Sequence, residues 1–214
     1  VLAEINAGLP SVAAFVTLPV IGPLPEGHIA WDQITQNKAT YAATHVPFEH
    51  PLWIVYSSGT TGNPKPIVHG HGGILLEGSK QSLHQDISAK DRFCWLTSSG
   101  WIMWNGQWMA LAQGATVALF DGAANYPDMG VVWRFVSDER LSYFGAVAAF
   151  FSSCMKAGVT PRADDYLGAL RSLGAIGARL AGDTCDWVFP VGNADPLLAP
   201  IICGHVSDRD FCLG

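Results

Sequence analysis

Charge is what this 214-residue sequence has least of: Asp, Glu, Lys and Arg make up 14% of it, against roughly a quarter in an ordinary soluble domain. The 12 basic residues are dispersed and the formal net charge is −6. No Lys/Arg cluster forms the concentrated basic face that a phosphate backbone or an anionic membrane requires, so no nucleic acid and no membrane is expected as a partner. Long apolar runs are also missing. Glu4, Asn6, Pro10 and Ser11 interrupt the opening residues, and nothing approaches the ~18 apolar residues of a spanning helix or the pattern of a secretory leader. The five cysteines, Cys94, Cys154, Cys185, Cys203 and Cys212, include no C-x-x-C pair. That leaves neither a disulfide framework nor a zinc signature, and it fits reduced thiols in a cytoplasmic protein.

Apolar side chains are plentiful instead, at 49% of the chain, enough for a substantial core and for surface meant to be covered by something else. Strand-like runs fall at Ala13–Leu18, Leu52–Tyr56, Arg92–Leu96, Thr116–Phe120, Tyr143–Gly145 and Leu173–Ile176. Helical periodicity falls at Gly73–His84, Met103–Gln113, Asp128–Arg140, Ala146–Ala157 and Asp164–Leu170, with short helices expected at Trp31–Asn37 and Gly182–Phe189. Strands interleaved with helices predict an α/β fold with a mostly parallel sheet and flanking helices. Three regions result: an incomplete leading αβ segment with a Pro-rich connection over 1–50, an αβ core over 51–177, and a divergent tail over 178–214.

The most informative stretch is "PLWIVYSSGTTGNPKPIVHGHGG", residues 51–73. After a strand it offers the hydroxyls of Ser57, Ser58, Thr60 and Thr61, backbone N–H groups freed by Gly59 and Gly62, and the ammonium of Lys65. Those are the parts of a phosphate cradle: donors that close around oxyanions and a cation that follows developing charge. It is not a Walker A loop, because Gly59 and Gly62 are too close and Pro66 follows Lys65. By composition alone the same residues read equally as a ligand-free Ser/Gly turn.

"YSSGTTGNPKPIVHGHGG" resembles the phosphate-binding signature of the adenylate-forming acyl-CoA synthetase superfamily, Thr/Ser-Ser-Gly-Ser/Thr-Thr-Gly-x-Pro-Lys-Gly. Pro66 in place of the last glycine, the continuation "IVHGHGGILLE", and the later "TSSGWIMWN" and "GATVALFDGAANYPD" resemble the branch that activates acetoacetate. The resemblance implies an AMP-forming acid-thiol ligase of lipid and ketone-body metabolism. Its substrates would be acetoacetate or another short acid, ATP with Mg²⁺, and coenzyme A. Lys65, Thr60 and Thr61 would be catalytic, and Ser57 to Gly62 with Lys65 would hold the nucleotide phosphates. Thr97, Gly100, Trp101 and Met103 would form the wall of the acid pocket with Trp101 as its cap, and Gly145 would let the backbone approach the substrate.

Other residues read more plainly. His69 and His71 would point the same way on an extended backbone, but no third ligand is marked, so no metal site is expected. The spacing of Trp101, Trp104 and Trp108 is that of a helical core stripe. Asp121 and Asp128 suit a turn and a helix start, and Cys94 a buried, inert position. Elements that the resemblance implies further along, namely a Gly-Gly-Thr-Asp-like segment, a ribose-binding aspartate, a hinge and a C-terminal lysine, are not recognisable here. The expectation is a fragment of the N-terminal region of such an enzyme, inactive alone, its exposed surface covered by the remainder or by a partner chain. A degenerate nucleotide-binding or interaction module is the alternative.

Overall fold

The computed structural model describes residues 2–36, 38–57, 62–161, 168–178, 183, 184, 187 and 202–204. Two compact units, residues 1–45 and 46–214, divide the chain. The division falls short of the boundary expected after residue 50. Residues 46–50 belong with the second unit, because Phe48 O accepts from Gly72 N at 2.9 Å and His50 O from His71 N at 3.0 Å.

The first unit is small. It contains α1 (Leu2–Gly8), the parallel pair β1 (Val16–Thr17) and β2 (Ile29–Ala30), and α2 (Trp31–Thr35). The strand expected over Ala13–Leu18 is thus only two residues long, with Thr17 Oγ1 2.7 Å from His28 Nδ1.

The second unit begins with an antiparallel hairpin, β3 (Pro51–Ser57) and β4 (Lys65–Gly70), whose last pair is Ser57 with Lys65. The strand at β4 was not legible in the sequence, because Pro66, His69 and Gly70 dilute its β propensity. It pairs because β3 supplies an unbroken run of aromatic and branched residues for Ile67 and Val68 to lie against. Helix α3 (His71–Gln85) comes directly after it and ends at Asp86, whose short polar side chain suits its left-handed φ of 54°.

Then comes the αβ repeat: β5 (Arg92–Trp95), α4 (Ile102–Ala112), β6 (Thr116–Val117), α5 (Val131–Asp138), β7 (Tyr143–Val147), α6 (Ala148–Lys156), β8 (Ser172–Ile176) and β9 (Ile202–Gly204). The strands form one parallel sheet in the order β6-β5-β7-β8-β9. Of the helix expected at Asp164–Leu170, residues 164–167 lie outside the described residues, while Gly168 and Ala169 form a turn. In the expected Gly182–Phe189 helix, Asp183, Thr184 and Trp187 are helical and the other positions lie outside the described residues.

Alternation along the strands sorts the core into two layers. Cys94, Phe144, Ala146, Leu173 and Ala175 face α5 and α6, where Trp133 and Phe151 are fully buried. Phe93, Trp95, Tyr143 and Ile176 face the opposite side, packing with Met103 and Ala110 of α4. Of the tryptophan stripe expected to be core, Trp101 packs half-buried against it, but Trp104 and Trp108 are 40% and 43% exposed, and α4 buries Met103, Gln107, Met109 and Ala110 instead. Indoles at 104 and 108 lie on the turn of the helix opposite to this buried stripe, and what reaches the sheet is the slimmer methionine and alanine face.

At the N-terminal ends of β5, β7 and β8 an ionic clamp holds the sheet. Asp91 is 5% exposed and accepts hydrogen bonds from Ser142 Oγ at 2.7 Å, Ser88 N at 2.8 Å and Arg171 Nε at 3.0 Å. Burial pushes its carboxyl pKa up, but those donors together outweigh burial and hold it below the ordinary value.

Candidate active site

Two places carry the residues that the sequence marks. The first is the open end of the β3–β4 hairpin. Ser57 and Lys65 face each other as its final pair, so the strands deliver a hydroxyl and an ammonium to the two roots of the connecting loop. Gly62 and Lys65 are exposed, and nothing stands within 4 Å of where a Gly62 Cβ would be. Ser58, Gly59, Thr60 and Thr61 lie outside the described residues. Trp53 of β3 meets Trp108 of α4 edge-on with centroids 5.9 Å apart, which ties the hairpin to the sheet-packing helix.

The histidines after the loop do not share an extended backbone. His69 ends in β4, while His71 opens α3 with its Nδ1 2.8 Å from His50 O. Among the described residues no group of three or more His, Cys, Asp or Glu is placed to hold a metal ion.

The second place lies beyond the C-terminal ends of β5 and β7. In the order β6-β5-β7, the chain leaves β5 toward one neighbour and later returns to the other. Ligands of open α/β sheets bind at such a switch point, where the connections diverge and leave a cleft. Residues 96–101 run on from the end of β5 at this point: Leu96 N donates to Gly145 O at 2.7 Å and Trp101 N to Ser98 O at 3.1 Å, turning the chain into α4. Thr97 and Trp101 are half-buried there and Gly100 is exposed with open space around it.

The other two expected wall residues sit deeper. Met103, 2% exposed, packs within the sheet–helix layer. Gly145 is covered: a Cβ there would stand 2.2 Å from Trp95 Cε3, so its missing side chain makes room for an indole. Gly174, beside it on β8, serves the same indole, with a virtual Cβ 2.5 Å from Cζ3. Sequence reasoning missed Trp95, Tyr143 and Gly174. The available signal was two glycines inside strand patterns, which mark close approach by something bulky.

Asp128 lies two residues before Gly130, the N-cap of α5, holding the Arg134 guanidinium at 3.0 Å and accepting from Gly130 N at 2.8 Å. Those donors lower its carboxyl pKa. Cys94 is buried in the mid-sheet layer, and burial pushes its thiol up to about 12, which leaves it without thiolate at neutral pH.

A family model described as "AMP-binding enzyme" matches residues 4–201. An acetoacetyl-coenzyme A synthetase of Rhizobium meliloti (strain 1021) is 38% identical over 170 residues, covering 79% of this chain and 26% of the relative. A malonamoyl-CoA synthetase of Penicillium aethiopicum is 31% identical over 236 residues, 97% of this chain and 33% of the relative. The solved acetoacetyl-CoA synthetase from Streptomyces lividans superposes with a TM-score of 0.85 at 37% identity, over 96% of this chain and 32% of that one. The chain therefore spans about a quarter to a third of the length of these relatives.

Proposed function

From the premise that this chain belongs to the AMP-binding enzyme family, matched over residues 4–201, we propose that it carries the phosphate loop and the acid crevice of an ATP-dependent acid-thiol ligase. A carboxylate oxygen attacks the α-phosphorus of ATP, the bond to the bridging oxygen breaks, and pyrophosphate leaves. The sulfur of coenzyme A then bonds to the acyl carbon and gives up its proton to solvent, while the acyl C–O bond of the mixed anhydride breaks and AMP departs with its electron pair. The observation that carries this reading is the strand pairing that sets Ser57 opposite Lys65 at the roots of a loop of hydroxyls and glycines. Lys65, Thr60, Thr61, Ser57 and the glycines would hold the departing phosphates, an electrostatic and positional task.

Thr97, Gly100 and Trp101 would line the acid end of the crevice, with Met103 and Gly145 behind them. Two relatives are named for acetoacetyl and malonamoyl thioesters. Both acids are short and carry a carbonyl on the third carbon, and we assign this chain the same class, with acetoacetate as the first candidate. Mg²⁺ would accompany the nucleotide, but the described residues offer no carboxylate cluster for it, so no step is routed through the ion. Among the described residues no helix is long and apolar enough to cross a membrane.

Calorimetry with MgATP, on the chain and on Lys65→Ala, tests the nucleotide half. Binding in the micromolar to low millimolar range, weakened about tenfold in the variant by loss of a charge-assisted contact, is expected. No heat from either protein would sink the reading.

A further inference from the structure

The motif "HGHGG", residues 69–73, stands at the end of the hairpin away from the connecting loop. Lys65 and Gly70 are the two ends of β4, roughly 17 Å apart at the rise of a strand. Residues 46–50 cross the chain there as a strap. A Cβ on Gly70 would stand 3.2 Å from Glu49 Cα and from Phe48 O, and one on Gly72 would run into the Phe48 ring, so both glycines are bare where the strap passes. Phe48 O accepts from Gly72 N at 2.9 Å. His50 O accepts twice from one residue, from His71 N at 3.0 Å and from His71 Nδ1 at 2.8 Å. A carbonyl partner requires a proton on that Nδ1. The imidazoles of His50 and His71 meet edge-on with centroids 5.4 Å apart.

Neither burial nor the connecting loop indexes one strand of this hairpin against the other. No residue of β3 or β4 is buried, and register is weakly specified where neither face of a ribbon is covered. Short turns fix register by their own geometry, whereas the connection here, residues 58–64, is long and rich in glycine and hydroxyls. The strap does the indexing at the base. It holds Pro51 opposite Gly70, and a bulge at Leu52 then steps the ladder so that Trp53 pairs with His69 and Ser57 with Lys65. Bulges serve to re-aim side chains in this way. Continued without that step, the Pro51–Gly70 register would bring Lys65 opposite Tyr56 and turn its ammonium to the other face of the ribbon from Ser57.

We propose that His71 is a positioning residue of the phosphate loop: its double hydrogen bond to His50 O staples the base of the hairpin and so keeps Lys65 paired with Ser57 while the loop end stays free to receive a ligand. This rests on the reading of the loop as the phosphate site. It gives the histidine and glycine motif a task that needs neither a metal nor contact with substrate. Isolated hairpins are marginal in water, so a staple of this kind decides how much of the time the ribbon is paired.

Hydrogen exchange by mass spectrometry and MgATP calorimetry are run well below the melting temperature on the chain, His71→Ala, His71→Asn, His71→Gln, Lys65→Ala and the double variant of His71→Ala with Lys65→Ala. Loss of one net hydrogen bond is expected to speed amide exchange in β3 and β4 about fivefold and to weaken MgATP binding by about as much, with exchange in β7 and β8 unchanged. His71→Asn, whose amide nitrogen takes the place of Nδ1, is expected to restore both; His71→Gln, whose amide reaches the place of Nε2, restores neither. The double variant should bind no more weakly than Lys65→Ala, because the staple acts through that ammonium. If Lys65→Ala weakens MgATP binding and His71→Ala does not, the staple is overturned and the nucleotide reading stands. Exchange that rises equally in β7 and β8 would mean a general loss of stability and overturn the positioning role. Should His71→Ala not fold, His71→Asn binding no better than His71→Gln overturns it equally. No heat from the parent overturns both readings.

Discussion

Asp91 shows at the level of single residues how the sheet is held. Its carboxylate ties Ser88, Ser142 and Arg171 together, so removing it leaves a guanidinium and a hydroxyl short of their acceptor. Asp91→Ala is expected to destabilise the chain by about 3 kcal/mol at neutral pH, read from urea unfolding. Because the folded pKa lies below the unfolded one, the carboxylate's contribution is complete above about pH 4 and is lost as pH falls through the folded value. The gap between parent and Asp91→Asn should accordingly narrow toward acid pH; a gap that widened there would contradict the assignment. Gly145 makes a second test. Gly145→Ala drives a methyl into the Trp95 ring and should cost about 1–3 kcal/mol, with part of the loss recovered when Trp95 is replaced by Val in the same chain. Additive losses in that double-mutant cycle would mean that the two residues are not in contact.

Among the elements, those written in one strong period were legible, and those held by context were not. Residues 143–147 and 172–176 are near-continuous apolar runs, as strands buried on both faces must be, and the sequence placed them closely. Helix α4 misled because its heaviest side chains carry the helical spacing, whereas its buried stripe is the lighter Met103, Gln107 and Ala110. Gln107 explains part of this choice: its Oε1 accepts Trp95 N at 3.1 Å, so the helix is oriented by a hydrogen bond to the strand end and not by its tryptophans. Met103→Ala should therefore cost about 2–4 kcal/mol by opening a cavity in the sheet–helix layer, and Trp104→Ala under about 1 kcal/mol. Equal losses in chemical denaturation would restore the tryptophan stripe. The hairpin that carries Ser57 and Lys65, by contrast, was not legible, since nothing in "KPIVHG" announces a strand without β3 beside it.

At the scale of the molecule, apolar surface is left open in the second unit. On the hairpin Ile54, Tyr56 and Val68 are 56%, 68% and 57% exposed, and on α3 Leu75, Leu76 and Leu83 are 62%, 63% and 81% exposed. A two-stranded ribbon is marginal in water by itself, and this one has a bare apolar face. The chain should sediment with concentration-dependent association, and Leu76→Lys with Leu83→Lys should shift it toward monomer without lowering its unfolding midpoint. The low charge of the sequence is thus matched by the surface, although which residues would be exposed could not be read from composition. The clamp beneath the sheet also sets an order of events during synthesis. Asp91 and Arg171 are 80 residues apart, and at 5–20 residues per second a ribosome needs about 4–16 s to make that interval. Throughout that wait Asp91 is a carboxylate without its guanidinium at the foot of a nascent strand, so β5 and β7 can align early but their buried ends are neutralised only once the chain has reached β8.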